Sequence, residues 1–226
     1  KYANRAELVL SVSEPLVESF KRRMPNAKEF MELRNGFDHK VKPISYKKEA
    51  KLKIGYFGSF YGRRNPSIFF NALKFFDVKG VDFEFFIATK NINFEIPSDL
   101  KNRVTILPFM SYEKSIIKMS KMDVNLLVLP FTGVLGVFSG KIFDYLSAGR
   151  SILALVNPSD VAAKLIEETN SGYIADFDDL ESVKEALKQL YNDWEANKLK
   201  QPNLNDIAKQ HRQYQVEKLA NWINQE

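Results

Sequence analysis

The sequence contains no cysteine among its 226 residues, which excludes a disulfide framework, an iron–sulfur cluster and any thiolate zinc site. Histidine is nearly as scarce. Only His39 and His211 occur, far apart in sequence, so neither an imidazole metal cage nor a Ser/His/Asp hydrolase constellation has its parts. Long apolar runs are missing as well. Val124 to Phe131 is the longest, interrupted by Asn125, and falls far short of the roughly 18 residues a membrane-spanning helix requires. The opening Lys-Tyr-Ala-Asn-Arg has no apolar stretch behind it of the kind a signal peptide carries, and the missing initial methionine reads as a fragment or a processed chain. Internal repeats and low-complexity stretches are also absent.

What is present describes an ordinary globular, cytosolic chain, with 45% apolar and 27% charged residues. The 33 basic and 28 acidic side chains leave a net charge of +5, which permits an anionic ligand or peripheral contact with an acidic membrane face and demands neither. Lys21-Arg22-Arg23 and Lys47-Lys48 lack the interleaved aromatics of a nucleic-acid groove and read as solvated surface.

Short β-rich runs alternate with helical patterns. Strands are predicted at Leu52 to Phe57, Phe83 to Ala88, Val104 to Leu107, Val124 to Leu129, Ile152 to Val156 and Tyr173 to Ala175. Helices are predicted at Pro66 to Phe76, around Ile116–Met119, at Gly140 to Ala148, at Asp160 to Thr169, and at Leu180 to Asn192 behind a cap at Asp178 or Asp179. Val124 to Leu129 is apolar on both faces, as in a parallel sheet covered by helices. The βαβα order predicts an α/β, doubly wound, Rossmann-like sheet. The Phe pairs at 69–70, 75–76 and 85–86 read as core. Before that core, residues 1–34 carry a strand-helix-strand signal (Leu8 to Val12, Glu14 to Arg23, Phe30 to Leu33), too small for a core of its own. Asn35-Gly36 turns the chain into a linker through residue 50, with Pro43 within it, and Ile207 to Ile223 reads as one long polar helix after Pro202.

In such sheets ligands sit beyond the carboxyl ends of the strands. Two loops there stand out. Gly58-Ser59-Phe60-Tyr61-Gly62-Arg63-Arg64-Asn65 offers small residues for close approach and arginines that can fork onto phosphate, although a tight turn with solvated arginines accounts for it equally well. Its glycines lack the spacing of a dinucleotide fingerprint. The second loop, Thr132 to Lys141, holds three glycines and starts a helix whose second residue is lysine, a natural anion site. Leu135 and Ile142 exclude a Walker A loop, and the missing magnesium-binding hydroxyl favours a bound diphosphate over a transferred γ-phosphate. Lys141, Asp144 and Ala148 are predicted on one face, with Ile142, Phe143 and Leu146 toward the sheet. Asp144 could then accept ribose hydroxyls, or merely pair with Lys141 on the surface. Asp176, Asp178, Asp179 and Glu181 fit no calcium loop and are explained by capping.

Together, Asn35-Gly36-Phe37-Asp38, the loop at 58–65, the run Ser139 to Ala154, Asp160-Val161-Ala162, Asn170-Ser171-Gly172-Tyr173 and the terminal Tyr214 to Ile223 segment resemble the family 4 retaining glycosyltransferases of the GT-B fold. The resemblance covers nearly the whole chain. It implies that residues 1–34 end an acceptor domain whose remainder lies upstream, 35–50 cross over, 51–200 form the nucleotide-sugar donor domain, and 201–226 pack back across. It further implies Gly58 and Ser59 against the donor phosphates, Arg63 or Arg64 paired with them (Asn65 standing at the usual lysine position), Phe109 and Met110 along the base, and Ser139, Gly140 and Lys141 on the distal phosphate. Asp144 matches the second glutamate of the family's E-x7-E motif, which reaches the ribose. Gly136 stands where the first glutamate would touch the sugar, leaving backbone groups from Gly133 to Phe138 to serve it. Implied partners are a nucleotide-sugar donor and a saccharide or lipid-linked saccharide acceptor. No metal is required and no nucleic acid is expected. Two alternatives share the fold: a nucleotide-sugar epimerase, for which the loop at 132–140 offers no acid/base group, and a non-catalytic nucleotide-binding module.

Overall fold

The computed structural model describes residues 3–41, 47–78 and 80–225; part of the expected linker, Pro43 included, lies outside them. In chain order the elements are β1 (Leu8–Ser11), α1 (Glu14–Arg23), β2 (Glu29–Glu32), β3 (Leu52–Phe57), α2 (Ser67–Val78), β4 (Phe83–Ala88), β5 (Val104–Leu107), α3 (Tyr112–Met119), β6 (Val124–Leu129), α4 (Gly140–Ser147), β7 (Ser151–Val156), α5 (Val161–Glu168), β8 (Gly172–Asp176), α6 (Leu180–Glu195), α7 (Leu204–Ala208) and α8 (Arg212–Ile223). Six of the strands form a parallel sheet in the order β5-β4-β3-β6-β7-β8. This is the doubly wound arrangement, with its reversal of direction between β3 and β6.

Every residue of β6 and β7 is buried, and successive side chains feed opposite layers. Leu126, Val128, Leu153 and Leu155 join the layer under α2 and α6. Leu127, Leu129, Ile152, Ala154 and Val156 join the layer under α4 and α5. Each leucine, isoleucine or valine among them contributes about 1.5–3 kcal/mol by leaving water, so the two central strands anchor both layers. The phenylalanine pairs split: Phe69, Phe70, Phe76 and Phe85 are core, whereas Phe75 is exposed and Phe86 is partly covered.

β1 and β2 form a two-stranded parallel sheet with α1, a unit that needs backing to persist. The backing comes from α8, where Lys218 donates to the Glu32 carbonyl (2.8 Å) and Trp222 to the Glu29 carboxylate (2.5 Å). The single terminal helix expected over 207–223 is in fact two, α7 and α8. At the break, Phe37 N–H donates to the Gln210 carbonyl (3.4 Å) and Arg212 N–H to the Phe37 carbonyl (3.0 Å). His211, in extended conformation, restarts the helix by accepting from Gln213 N–H at Nδ1 (3.1 Å). A tertiary strand-like pairing thus overrides a helical pattern. Asp179, not Asp178, caps α6. Among the described residues no helix is long and apolar enough to cross a membrane.

Candidate functional site

The loops after β3 and β6 meet at the carboxyl edge of the sheet, and α4 locks them together. Tyr145, wholly buried on α4, accepts a hydrogen bond from Phe57 N–H at the end of β3 (3.1 Å). That bond sets the N-terminus of α4 beside Gly58, whose φ of +132° is a conformation that glycine adopts readily. A Cβ at position 58 would run into the Cε of Lys141, so the lysine stem lies directly across the glycine. Tyr56 stacks on Phe60 (3.9 Å) and donates to the Ser59 carbonyl (3.0 Å), which shapes the loop from below.

Lys141 Nζ lies 5.8 Å from the Tyr56 ring centre, and among the described residues no carboxylate pairs with it. Burial, and then the Arg64 guanidinium, hold its pKa below the usual lysine value. Arg64 itself rests on Tyr61, 5.0 Å from the ring centre and hydrogen-bonded to the phenol oxygen. Arg63 points elsewhere: it donates to the Phe131 carbonyl (2.6 Å), pairs with Asp178, and so straps three loops together. Asn65 accepts from Ser67 N–H (3.0 Å) at the start of α2.

Gly58, Ser59, Phe109 and Met110 line one cavity of about 170 Å³, with Phe109 75% exposed at its rim. Gly140 and Asp144 line a neighbouring cavity of about 480 Å³, together with His39, Asp38 and Arg212. Tyr112 borders both. Its phenol donates to Asp144 Oδ1 (2.8 Å). Asp144 is pushed above the ordinary carboxylate range by burial, against which the Tyr112 hydrogen bond and the charges of His39 and Lys141 act. His39 is lowered by burial, and among the described residues its buried Nε2 has no hydrogen-bond partner. Ala148, the C-cap of α4, keeps helical dihedrals, donates its N–H to the Asp144 carbonyl and is buried in the core.

Gly136 and Ser139 are buried rather than open to the cavities. Gly136, at φ +87°, accepts from Ser13 Oγ at its carbonyl (2.7 Å) and donates its N–H to Asp160 (2.7 Å). A Cβ there would come within 2.5 Å of Ser13 Oγ and 3.2 Å of both Pro15 and Leu16, so the contact with α1 requires glycine.

Sequence spacing left Tyr112, His39, Asp38 and Arg212 out of the site. Asp38 belonged to a recognised motif, yet its partner Arg212 enters only through the break before α8. Both histidines pack on Phe37, each with its ring centre 5.3 Å away. Among the described residues no group of three or more potential ligands could hold a metal ion.

No protein-family model matches the sequence, and no curated protein matches it significantly. Solved structures do. The chain superposes on UDP-bound HepE from Anabaena with a TM-score of 0.72 and 16% identity, covering 99% of this chain and 65% of that one. For the lipopolysaccharide outer core galactosyltransferase WaaB the values are 0.70, 13%, 97% and 62%. For sucrose-phosphate synthase from Thermosynechococcus elongatus they are 0.68, 14%, 99% and 59%. The chain has the Rossmann-like fold of a GT-B C-terminal domain. It spans 59 to 65% of the length of these three GT-B structures.

Proposed function

We propose that this GT-B-like chain is the donor-binding portion of a glycosyltransferase that takes a sugar from a nucleoside-diphosphate sugar. The observation that carries the reading is Lys141: a desolvated ammonium that forms no ion pair among the described residues, laid across Gly58 at a helix N-terminus where the sheet reverses. Such a group is suited to a diphosphate, and Arg64 stands close enough to share the charge. The UDP in HepE's structure supports the same ligand class.

The finer reading is that transfer proceeds with retention and without a metal. The donor diphosphate takes the acceptor proton, while Lys141, Arg64 and the α4 N-terminus stabilise the departing charge. The acceptor is a saccharide or lipid-linked saccharide in surface polysaccharide or glycoconjugate assembly, bound with help from an upstream domain. Gly136 favours a second reading. Its N–H and carbonyl are both engaged by protein, so neither is free to read a sugar, as expected of a non-catalytic nucleotide-binding module.

Calorimetric titration with UDP, GDP and ADP, each with and without magnesium, tests the first claim. Saturable, metal-independent binding of one diphosphate is expected, and no binding of any of them would overturn it. Turnover of the matching nucleotide sugar by the protein with its upstream domain then separates enzyme from module.

A further inference from the structure

Among the described residues, Tyr112 is the one side chain common to the cavity holding Gly58, Ser59, Phe109 and Met110 and the cavity holding Gly140 and Asp144. It opens α3, two residues after Met110, and its ring meets His39 edge-on with centres 6.2 Å apart. Its phenol O–H reaches across to Asp144 Oδ1 on α4. A carboxylate offers about four acceptor positions, so one donated hydrogen bond fixes its orientation and leaves the others free. We infer that Tyr112 is a positioning residue for the nucleoside half of the ligand: it holds the Asp144 carboxylate at the wall between the two cavities, ready to accept the ribose hydroxyls. This inference rests on the nucleotide reading above and adds a residue that makes the site selective for a ribonucleotide.

The groups facing Asp144 are Tyr112 from α3, His39 and Asp38 from the segment after β2, Lys141 from its own helix and Arg212 from α8. Removal of the phenol O–H takes away the hydrogen-bond donor that favours the ionised carboxylate and leaves the others in place. In the Tyr112→Phe variant, loss of affinity on acidification therefore begins at a higher pH than in the wild type.

The test titrates wild type and Tyr112→Phe with whichever of UDP, GDP and ADP the wild type binds, with its 2′,3′-dideoxy counterpart, and with inorganic pyrophosphate. Tyr112→Phe is expected to weaken the ribonucleotide about threefold to tenfold and to leave the other two ligands unchanged. In an Asp144→Ala background the same substitution is expected to have no further effect. Unchanged or tighter ribonucleotide binding overturns the inference, the latter because Tyr112 would be occupying the site instead of preparing it. Equal loss for all three ligands also overturns it, since the tyrosine would then only support the fold. Failure of the wild type to bind any nucleoside diphosphate is a separate result that removes the nucleotide reading itself.

Discussion

Two cavities of about 480 Å³ open at opposite edges of the same sheet. One lies at the carboxyl edge, among Asp144, Tyr112 and His39; the other lies at the amino edge, among Lys53, Lys118, Lys121 and Asp123. Volume does not tell them apart, and the amino edge is the more basic. The difference is in what the charges already do. At the amino edge α3 ends, and helix C-termini present carbonyls that attract cations. Arg150 donates to the Ser120 carbonyl there, Lys53 pairs with Glu49, and Asp123 accepts from Lys53 N–H. At the carboxyl edge α3 and α4 begin, the dipoles point the other way, and among the described residues Lys141 forms no ion pair, feeling Asp144 only through its charge. A parallel sheet makes its two edges electrostatically unequal, and the proposed site is distinguished by a half-buried cation at the N-terminal ends of helices, where a count of cations would have pointed to the other edge.

The largest effect that would test this contrast comes from Gly58→Val. The new side chain must displace Lys141 and sit at a left-handed φ, so nucleotide affinity should fall more than about a hundredfold and the fold should lose about 1–3 kcal/mol, read by calorimetry and thermal melting. Retained binding would take Lys141 out of the site. Next, Lys141→Ala should weaken nucleoside diphosphate binding more than about tenfold, while Lys121→Ala at the other edge should stay within about twofold. The reverse pattern would exchange the two edges. Within the carboxyl edge, Arg64→Ala should cost about threefold to tenfold in affinity. Arg63→Ala should instead lower the Tm by about 1–3 °C with a smaller effect on binding, because Arg63 is already spent on Phe131 and Asp178 in an exposed pair.

The effect of removing the Asp144 charge is the sharpest in sign. Burial raises the Asp144 carboxyl above its unfolded value, so the folded chain holds that proton to higher pH. Asp144 therefore lowers stability as pH rises from the usual carboxylate value through its raised one. Asp144→Asn removes that dependence and should raise the Tm at neutral pH by about 2–4 °C, while weakening nucleotide binding. A Tm–pH curve that keeps the wild-type slope in that interval would mean that another group is responsible.

The sheet was legible because parallel strands buried on both faces write themselves as continuous apolar runs; Val124–Leu129 is the plainest case. The first and last β-strands of the fold shifted by only a residue at their ends. Gly58, Lys141 and Asp144 could be picked out as candidates because glycine, helix start and charge lie within short stretches. The helix break at 209–211 was not, since it is enforced by Phe37, a residue remote in sequence. Tyr112 was missed for a related reason: nothing local separates it from any other aromatic residue at a helix start, and its meaning comes from Asp144 across the cavity. Arg63 and Arg64 look identical in sequence, and only their partners divide them.

By pairing Phe37 with His211, the chain ties a ring around the whole six-stranded sheet. Closing a ring of that length on a disordered chain costs about 4–5 kcal/mol of entropy, most of which vanishes once the strands inside it have assembled. The bridge is therefore expected to form late in folding, after the zipping of β6 onto β7. The two-stranded unit gains the support of α8 only then, so its amides are expected to exchange with solvent before those of β6 and β7, a difference hydrogen exchange would read.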